Sequence, residues 1–204
     1  MFGLPSTVEV HQPLPKTAFY QRLSLAAPVK DEFVHGIDAL CVVGAVKEAT
    51  CGIPAAEGVE EISVLRADLK SREVPKQALD AIAAAVPRKL LMVCCHEGMA
   101  RLAAVRRGLH VGARWVSEDE LNIELIGTTL AEVWDGLCAQ VLFDDAGIPD
   151  VDARMRKEKR IAELEAEVVK LERKYAKEVQ PAKRNAAYKE FRAVRAELSA
   201  LKGE

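Results

Sequence analysis

Two charged residues near the end of a predicted strand have types and a spacing suited to the hydrolysis of phosphate esters. Asp68 and Lys70 are separated by a single residue, and residues two apart in a strand point to the same face of a sheet. On that face a carboxylate can help to hold Mg²⁺, while a lysine stabilises negative charge or activates water. Asp68 and Lys70 are therefore the candidate catalytic residues of this sequence.

The pair is incomplete as a metal site. Restriction-type nucleases combine this acidic-x-lysine spacing with a second carboxylate from the preceding strand, and residues 39–46, the preceding predicted strand, contain none. Glu48 or Glu57 would have to take its place. The competing interpretation is an ion pair or a solvated pair at a strand end. An Mg²⁺-dependent restriction-type nuclease that uses Asp68 and Lys70 is therefore the alternative function, and it is not the favoured one.

No other pattern in the sequence predicts a metal, a cofactor or a catalytic group. The five cysteines lack the C-x-x-C spacing of zinc sites. Cys94, Cys95 and His96 are adjacent, so strand geometry sends neighbouring side chains to opposite faces. The glycine-rich phosphate-binding motifs and the G-x-S-x-G turn of hydrolases are absent. We therefore expect buried thiols in a reducing compartment, no metal and no cofactor.

The composition indicates a folded, soluble protein. The chain has 204 residues, of which 50% are hydrophobic and 5% aromatic, and its formal net charge is −2. This apolar content supports a buried core and excludes a fully disordered chain. No apolar run approaches the roughly 18–20 residues of a membrane span, and no basic residue precedes an apolar stretch at the N-terminus, so no signal peptide is predicted. We expect a cytoplasmic protein without membrane contact.

Helix and strand patterns interleave over the first part of the chain and predict an α+β fold. The predicted strands cover residues 39–46, 61–69, 89–95, 100–106 and 121–126, and the predicted helices begin at Pro15, Val29, Pro75 and Thr129. Two of these strands meet across residues 96–99, where Gly98 suits a hairpin turn. Thr129 and Glu132 match a capping box. Because a hairpin is combined with helix-linked strands, we expect a mixed or antiparallel sheet with packed helices.

A change in composition marks a boundary near residue 148. Residues 143–150 have the Asp, Gly and Pro content of a linker. From Asp150 onward there are 15 Lys and Arg against 11 Asp and Glu, a net charge of +4, whereas the first 149 residues carry 14 against 20, a net charge of −6. We predict a mixed α/β globular domain over residues 1–148 and a linker with a helical arm over residues 149–204.

The helical arm has the repeat of a coiled coil. Apolar residues recur at alternating spacings of three and four in two runs, Ile161, Leu164, Val168, Leu171 and Tyr175, then Phe191, Val194, Leu198 and Leu201. Pro181 lies between the runs, and a proline inside a helix costs roughly 3 kcal/mol. The pattern predicts two helices that fold back as an antiparallel coiled-coil hairpin. A single kinked helix that pairs with another chain is the alternative.

Basic residues lie on both sides of Pro181. Lys174 and Lys177 precede it and Lys183 and Arg184 follow it, so a turn at the proline would gather four charges. Concentrated positive charge can contact phosphates. These four residues are predicted to contact nucleic acid or a partner, and the DNA binding would be weak and independent of sequence. A solvated helix face is the competing interpretation.

Several stretches have the form of one bacterial protein family. They are Phe2–Val10 with Leu14–Tyr20, Val59–Leu65 with Leu79–Pro87 and Lys89–Val93, and Leu171–Gln180 with Lys183–Arg184 and Tyr188–Arg192. Together they span most of the chain, which resembles the family known as domain of unknown function 4391. The resemblance implies an accessory protein of DNA restriction or phage-defence loci, near helicases and DNA methyltransferases, and it brings no established activity.

The interaction patterns outweigh the catalytic one, because the Asp68 and Lys70 pair lacks its second carboxylate. We therefore favour a non-enzymatic interaction or accessory protein. Its partner would be a protein, a helicase or a DNA methyltransferase, that binds through the coiled-coil arm.

Overall fold

The computed structural model describes residues 1–17, 19 and 25–203. The chain divides into two compact units, Met1–Pro149 and Asp150–Glu204. The short helix predicted from Pro15 to residue 23 falls largely outside the described residues.

Within the described residues, the first unit is built on a seven-stranded sheet. The strands are β1 (Glu9–Pro13), β2 (Ile37–Lys47), β3 (Glu61–Leu69), β4 (Lys89–His96), β5 (Met99–Val105), β6 (Leu109–Val111) and β7 (Val116–Ser117). Their order is β1-β2-β3-β4-β5-β6, and β7 also pairs with β5. The pairing of β3 with β4 is parallel and the others are antiparallel. The prediction of an α+β fold with a mixed sheet is therefore confirmed.

The helices of the first unit explain this mixed pairing. They are α1 (Ala27–Gly36), α2 (Glu48–Cys51), α3 (Lys76–Ala85) and α4 (Leu130–Phe143). Parallel neighbours need a crossover connection, and α3 supplies it between β3 and β4. By contrast, Glu97 and Gly98 alone connect β4 to β5, and both have positive φ angles of 48° and 75°. That geometry belongs to a tight hairpin turn, so the predicted hairpin is confirmed.

One face of the sheet packs against α1 and α3. The core on this face contains Phe33 of α1, Leu79 and Ile82 of α3, and the strand residues Leu65 and Met92. Strand side chains alternate between faces. The odd-numbered residues of β3 after Ser63 therefore join this core, and the even-numbered ones point to the other face.

The opposite face of the sheet is covered by α4, which contacts β3, β5 and β6. Leu130, Val133 and Leu137 of this helix are fully buried. The predicted cap is confirmed: Thr129 is the N-cap, and its hydroxyl accepts a hydrogen bond from the Glu132 N–H at 3.3 Å. The central strands β3 and β4 are therefore covered on both faces.

Two sequence expectations for the first unit were wrong. Residues 121–126 form no strand, although their alternation does bury Leu121 and Ile123. The Ile123 N–H bonds the Phe2 carbonyl oxygen in the N-terminal loop rather than a strand. In addition, the continuous apolar run over residues 39–46 predicts a strand buried on both faces, whereas in β2 Ala39 is exposed and Cys41 half-buried. The cause is its place next to the short, exposed edge strand β1.

The second unit consists of two helices, α5 (Val151–Lys177) and α6 (Pro181–Lys202). Ion pairs link Arg160 to Glu197 at 2.7 Å and Lys174 to Glu190 at 3.2 Å. Residue numbers rise in α5 as they fall in α6, so the helices are antiparallel. The chain turns at Pro181, as predicted, and the alternative of one kinked helix is wrong. No described helix in either unit combines the length and apolarity needed to cross a membrane.

Candidate functional site

A half-buried polar cluster lies where the two parallel strands end. The carboxyl ends of β3 and β4 meet at one edge of the sheet, and Asp68 is opposite Cys95 in their register. Clefts beside the carboxyl ends of parallel strands are a common location of binding sites. The predicted catalytic residue Asp68 therefore lies at a position where binding sites are common.

Arg66 is the centre of this cluster. Its Nε donates a hydrogen bond to Asp68 Oδ1 at 2.8 Å, and its Nη1 and Nη2 donate to the two carboxylate oxygens of Glu118 at 2.6 and 3.2 Å. The Phe2 ring lies 5.8 Å from the guanidinium carbon. A guanidinium matches a carboxylate in this two-bond geometry, which gives strong and directional pairing.

The positions of β3, β7 and the turn between β4 and β5 explain why these side chains meet. Arg66 and Asp68 are two apart in β3 and share a face of the sheet. Glu118 directly follows β7, and its N–H bonds the Gly98 carbonyl oxygen at 2.9 Å in the turn between β4 and β5. That hydrogen bond fixes Glu118 beside the ends of β3 and β4.

The electrostatics of the cluster favour a permanently charged arginine. Burial opposes the charged guanidinium, but the hydrogen bonds to Glu118 and Asp68 outweigh it and raise the pKa of Arg66. The three side chains are 22–34% exposed. One positive and two negative charges leave this group of three side chains with a net negative charge.

Lys70 contacts the C-terminal end of α1. Its ammonium donates to the Val34 carbonyl oxygen at 2.9 Å, and its backbone N–H bonds the Gly36 carbonyl oxygen at 3.0 Å. Both acceptors are in the last turn of α1, where unpaired carbonyls attract positive charge. Asp68 is thus paired with Arg66, whereas Lys70 is bonded to the end of α1. Among the described residues, no ion pair joins Asp68 to Lys70.

A further acidic residue, Asp38, lies next to the partner of Asp68 in the register of β2 and β3. Asp38 occupies a bulge in β2, between Ile37, which pairs with Leu69, and Ala39, which pairs with Asp68. The sequence prediction began this strand at residue 39, because the apolar run starts there, and so it missed Asp38. Over the described residues, no group of three or more His, Cys, Asp and Glu side chains could hold a metal ion.

The three buried cysteines of the first unit are held in the thiol form. Cys94, Cys95 and Cys138 are buried, and burial raises the pKa of Cys94 and Cys95 to about 12 and that of Cys138 to about 11. A protonated thiol is a poor nucleophile. Cys41 and Cys51 are only half-buried, so the expectation of buried thiols is wrong for these two.

The four basic residues predicted to contact nucleic acid or a partner lie around the turn between α5 and α6. Lys174 pairs with Glu190 at 3.2 Å, and the Arg184 guanidinium stacks 5.0 Å from the centre of the Tyr175 ring. In the described part of the helical arm, no ion pair involves Lys177 or Lys183. Two of the four charges are therefore held by neighbours on the arm.

The same turn carries apolar side chains whose grouping the sequence analysis missed. The ring centres of Tyr175 and Tyr188 are 5.2 Å apart, and those of Tyr188 and Phe191 are 6.5 Å apart. Val179, in the turn itself, is 88% exposed, and Tyr188 is 42% exposed. Tyr188 lies outside the heptad positions that were assigned, so its spacing gave no indication of this cluster.

Comparison with known proteins identifies a family and nothing closer. Residues 2–198 match the family model described as domain of unknown function (DUF4391). The chain therefore belongs to this family. No curated protein and no solved structure matches it.

Proposed function

We propose that this member of the DUF4391 family is a non-enzymatic accessory protein that binds a protein partner through its helical arm, residues 150–204. The partner we propose is a helicase or a DNA methyltransferase of a restriction or phage-defence system. We choose these partners because the family resemblance implies an accessory protein of loci that also contain helicases and DNA methyltransferases. The arm itself supplies the physical argument for a partner.

One observation carries the proposal: the apolar seam of the helical arm is incompletely covered. The seam comprises the nine residues of the two heptad runs, Ile161, Leu164, Val168, Leu171, Tyr175, Phe191, Val194, Leu198 and Leu201. Only Leu164 and Leu171 of these are buried, and the other seven are half-buried. Helices with such seams pack in coiled coils of two or more helices, and in bundles a third or fourth helix covers the seam further. A helix or groove of a partner would remove the remaining apolar surface from water, which is worth about 25 cal/mol per Å².

The test is co-expression of the full chain with a helicase or DNA methyltransferase encoded beside it, followed by size-exclusion chromatography. We expect the two proteins to elute together. The double variant Val168→Ser/Leu198→Ser should weaken the complex, because both changes remove half-buried seam surface. Ala166→Ser/Ala196→Ser is the matched control, since both alanines are exposed. Circular dichroism should show equal helix content for both variants.

Two outcomes would contradict this proposal. In one, the seam variant elutes with the partner as fully as the wild type does. In the other, no neighbouring helicase or methyltransferase elutes with the wild-type chain at all.

A second candidate function, an Mg²⁺-dependent restriction-type nuclease, is favoured by the position of Asp38 beside Asp68 in the sheet register. Arg66 argues against the nuclease, because its guanidinium already donates a hydrogen bond to the Asp68 carboxylate. We expect the purified chain to leave supercoiled plasmid intact in Mg²⁺. Cleavage by the wild type that disappears in Asp68→Ala and Lys70→Ala would make the nuclease the better assignment.

A further inference from the structure

We propose that the tip of the helical arm, residues 173–191, docks an acidic protein segment that carries an aromatic or aliphatic anchor. This inference rests on the proposed function and specifies the surface and the chemistry of the partner. Three features of the tip support it: exposed apolar groups, excess positive charge, and aromatic rings held in place by their neighbours.

The tip exposes apolar side chains both in the turn and on α6. Val179 is 88% exposed in the turn, and Tyr188 is 42% exposed on α6. Scattered single apolar residues on a surface need no explanation, whereas grouped ones mark interaction sites. Tyr188 contacts both Tyr175 and Phe191, so an exposed ring is grouped with two seam residues, and Val179 adds an exposed apolar side chain in the turn.

The aromatic rings are preorganised for binding. Tyr188 lies between Tyr175 and Phe191, and Arg184 covers the Tyr175 ring and approaches its hydroxyl oxygen at 3.5 Å. Cation–π stacking restrains both partners. Tyrosine and arginine are enriched at the positions that dominate protein interfaces, because they bury much area for little lost entropy.

The charge of the tip selects an acidic partner. Residues 173–191 contain six Lys and Arg and two Glu, a net charge of +4. Lys177 and Lys183, which have no ion pair within the described part of the arm, flank Val179 on either side of the turn. An acidic segment would meet these ammonium groups while its anchor covers Val179 and Tyr188, so charge and apolar surface would both be matched.

Other occupants satisfy fewer of these features. The tip of a second copy carries the same net charge and would be repelled. Duplex DNA would pair its phosphates with the lysines, but it would leave Val179 and the tyrosines without an apolar partner. An acidic protein segment is the occupant that uses both kinds of group.

The experiment measures fluorescence anisotropy of labelled probes titrated with the full chain. The probes are a short Glu-rich peptide with Phe and Leu anchors, the same peptide with Ser in place of the anchors, and a duplex DNA. We expect the anchored acidic peptide to bind and the anchorless one to bind at least about tenfold more weakly. Val179→Ser and Tyr188→Ser should each weaken binding about fivefold to tenfold. Lys177→Gln/Lys183→Gln should weaken it mainly at low salt.

Matched controls separate the tip from the rest of the arm. Val169→Ser removes a valine that is 44% exposed outside the tip, and Lys170→Gln/Arg195→Gln removes two exposed charges outside it. Both should change the affinity less than about twofold, as expected for residues outside the contact. Equal loss in the controls and the tip variants would overturn the assignment of the site to the tip.

The remaining outcomes also decide the question. DNA binding that depends on Lys177 and Lys183 but not on Val179 would assign the tip to nucleic acid. Self-association in sedimentation that is lost in Val179→Ser would assign it to a second copy, and absence of binding to every probe would remove the proposal. If Val168→Ser/Leu198→Ser abolishes the partner complex but the tip variants do not, the tip inference fails while the proposed function stands.

Discussion

At the residue scale, Arg66 determines the charge balance at the polar end of the sheet. Its guanidinium bonds one carboxylate two residues away and another 52 residues away. Half-buried carboxylates that lose a paired cation keep an uncompensated charge, which is costly away from bulk water. The stability of this part of the first unit therefore depends strongly on a single side chain.

Replacing Arg66 should accordingly destabilise the protein. We expect Arg66→Met to lower the free energy of unfolding by about 1–3 kcal/mol, because Asp68 and Glu118 would be left half-buried without their partner. Urea denaturation at neutral pH measures this change. Arg72→Met, at an exposed position, is the control and should cost under about 0.5 kcal/mol. Equal effects of the two substitutions would show that the cluster contributes little.

The buried thiols predict a loss of stability at high pH. The pKa values of Cys94, Cys95 and Cys138 are raised from 9.0 to about 11 or 12 in the folded protein. Above about pH 9 the unfolded chain therefore releases protons that the folded chain retains. Stability is fully present below pH 9 and is lost as the pH rises toward 12, by about 1.4 kcal/mol per thiol between pH 8 and 10.

Denaturation curves at pH 8 and pH 10 measure this effect, and Cys138→Ala isolates one thiol. Other groups also titrate in this range, but they are common to both proteins. The variant should lose about 1.4 kcal/mol less than the wild type between the two pH values. Identical pH dependence of the two proteins would contradict the high pKa of Cys138.

At the element scale, the start of α4 shows a variation on the predicted capping box. The Thr129 hydroxyl accepts from the Glu132 N–H, as the motif requires. The Glu132 carboxylate, however, accepts from the N–H and hydroxyl of Thr128, at 2.7 and 2.8 Å, and these bonds lower the pKa of Glu132. The helix start is thus held by two consecutive threonines.

Loss of the Thr129 hydroxyl should weaken this helix start. We expect Thr129→Ala to lower the free energy of unfolding by about 1 kcal/mol, since one N–H of the first turn loses its acceptor. Thr129→Ser keeps the oxygen and should stay within about 0.3 kcal/mol of the wild type. Thermal unfolding of the three proteins makes the comparison. Alanine and serine variants of equal stability would contradict the role of the cap.

Elements with a local pattern were predictable from the sequence, whereas contacts between distant residues were not. The apolar content of residues 61–69, Gly98 in its turn and the heptads around Pro181 are all short-range patterns, and the structure contains the corresponding strand, hairpin and helices. The pairing of Arg66 with Glu118 depends on the turn that positions residue 118, and no spacing encodes it. The strand predicted at 121–126 failed because alternation records burial and not the presence of a neighbouring strand.

At the scale of the whole molecule, the chain divides after residue 149 into two units, and each unit is held together by its own contacts. The first unit has a sheet with helices on both faces, and the second has two helices joined by their own seam and ion pairs. A domain with its own core can fold without its neighbour. The charges also separate, since the first 149 residues are acidic and the remainder basic.

Deletion of residues 152–204 should therefore leave a folded protein. We expect the shortened chain to unfold in one cooperative transition, with its near-ultraviolet circular dichroism retained, because the core of the sheet lies within residues 1–149. Calorimetry and urea denaturation test this. A broad, non-cooperative transition would mean that the helical arm is required for the core.

The order of the strands has a consequence for how the protein is made. From β1 to β6, each strand pairs with the strand that precedes it in the chain. During synthesis the N-terminal residues emerge first from the ribosome, so each new strand finds its template already exposed. Closing short loops in succession costs less chain entropy than joining distant segments. The sheet can thus grow from one edge at the pace of translation, before the two helices of the arm have been synthesised.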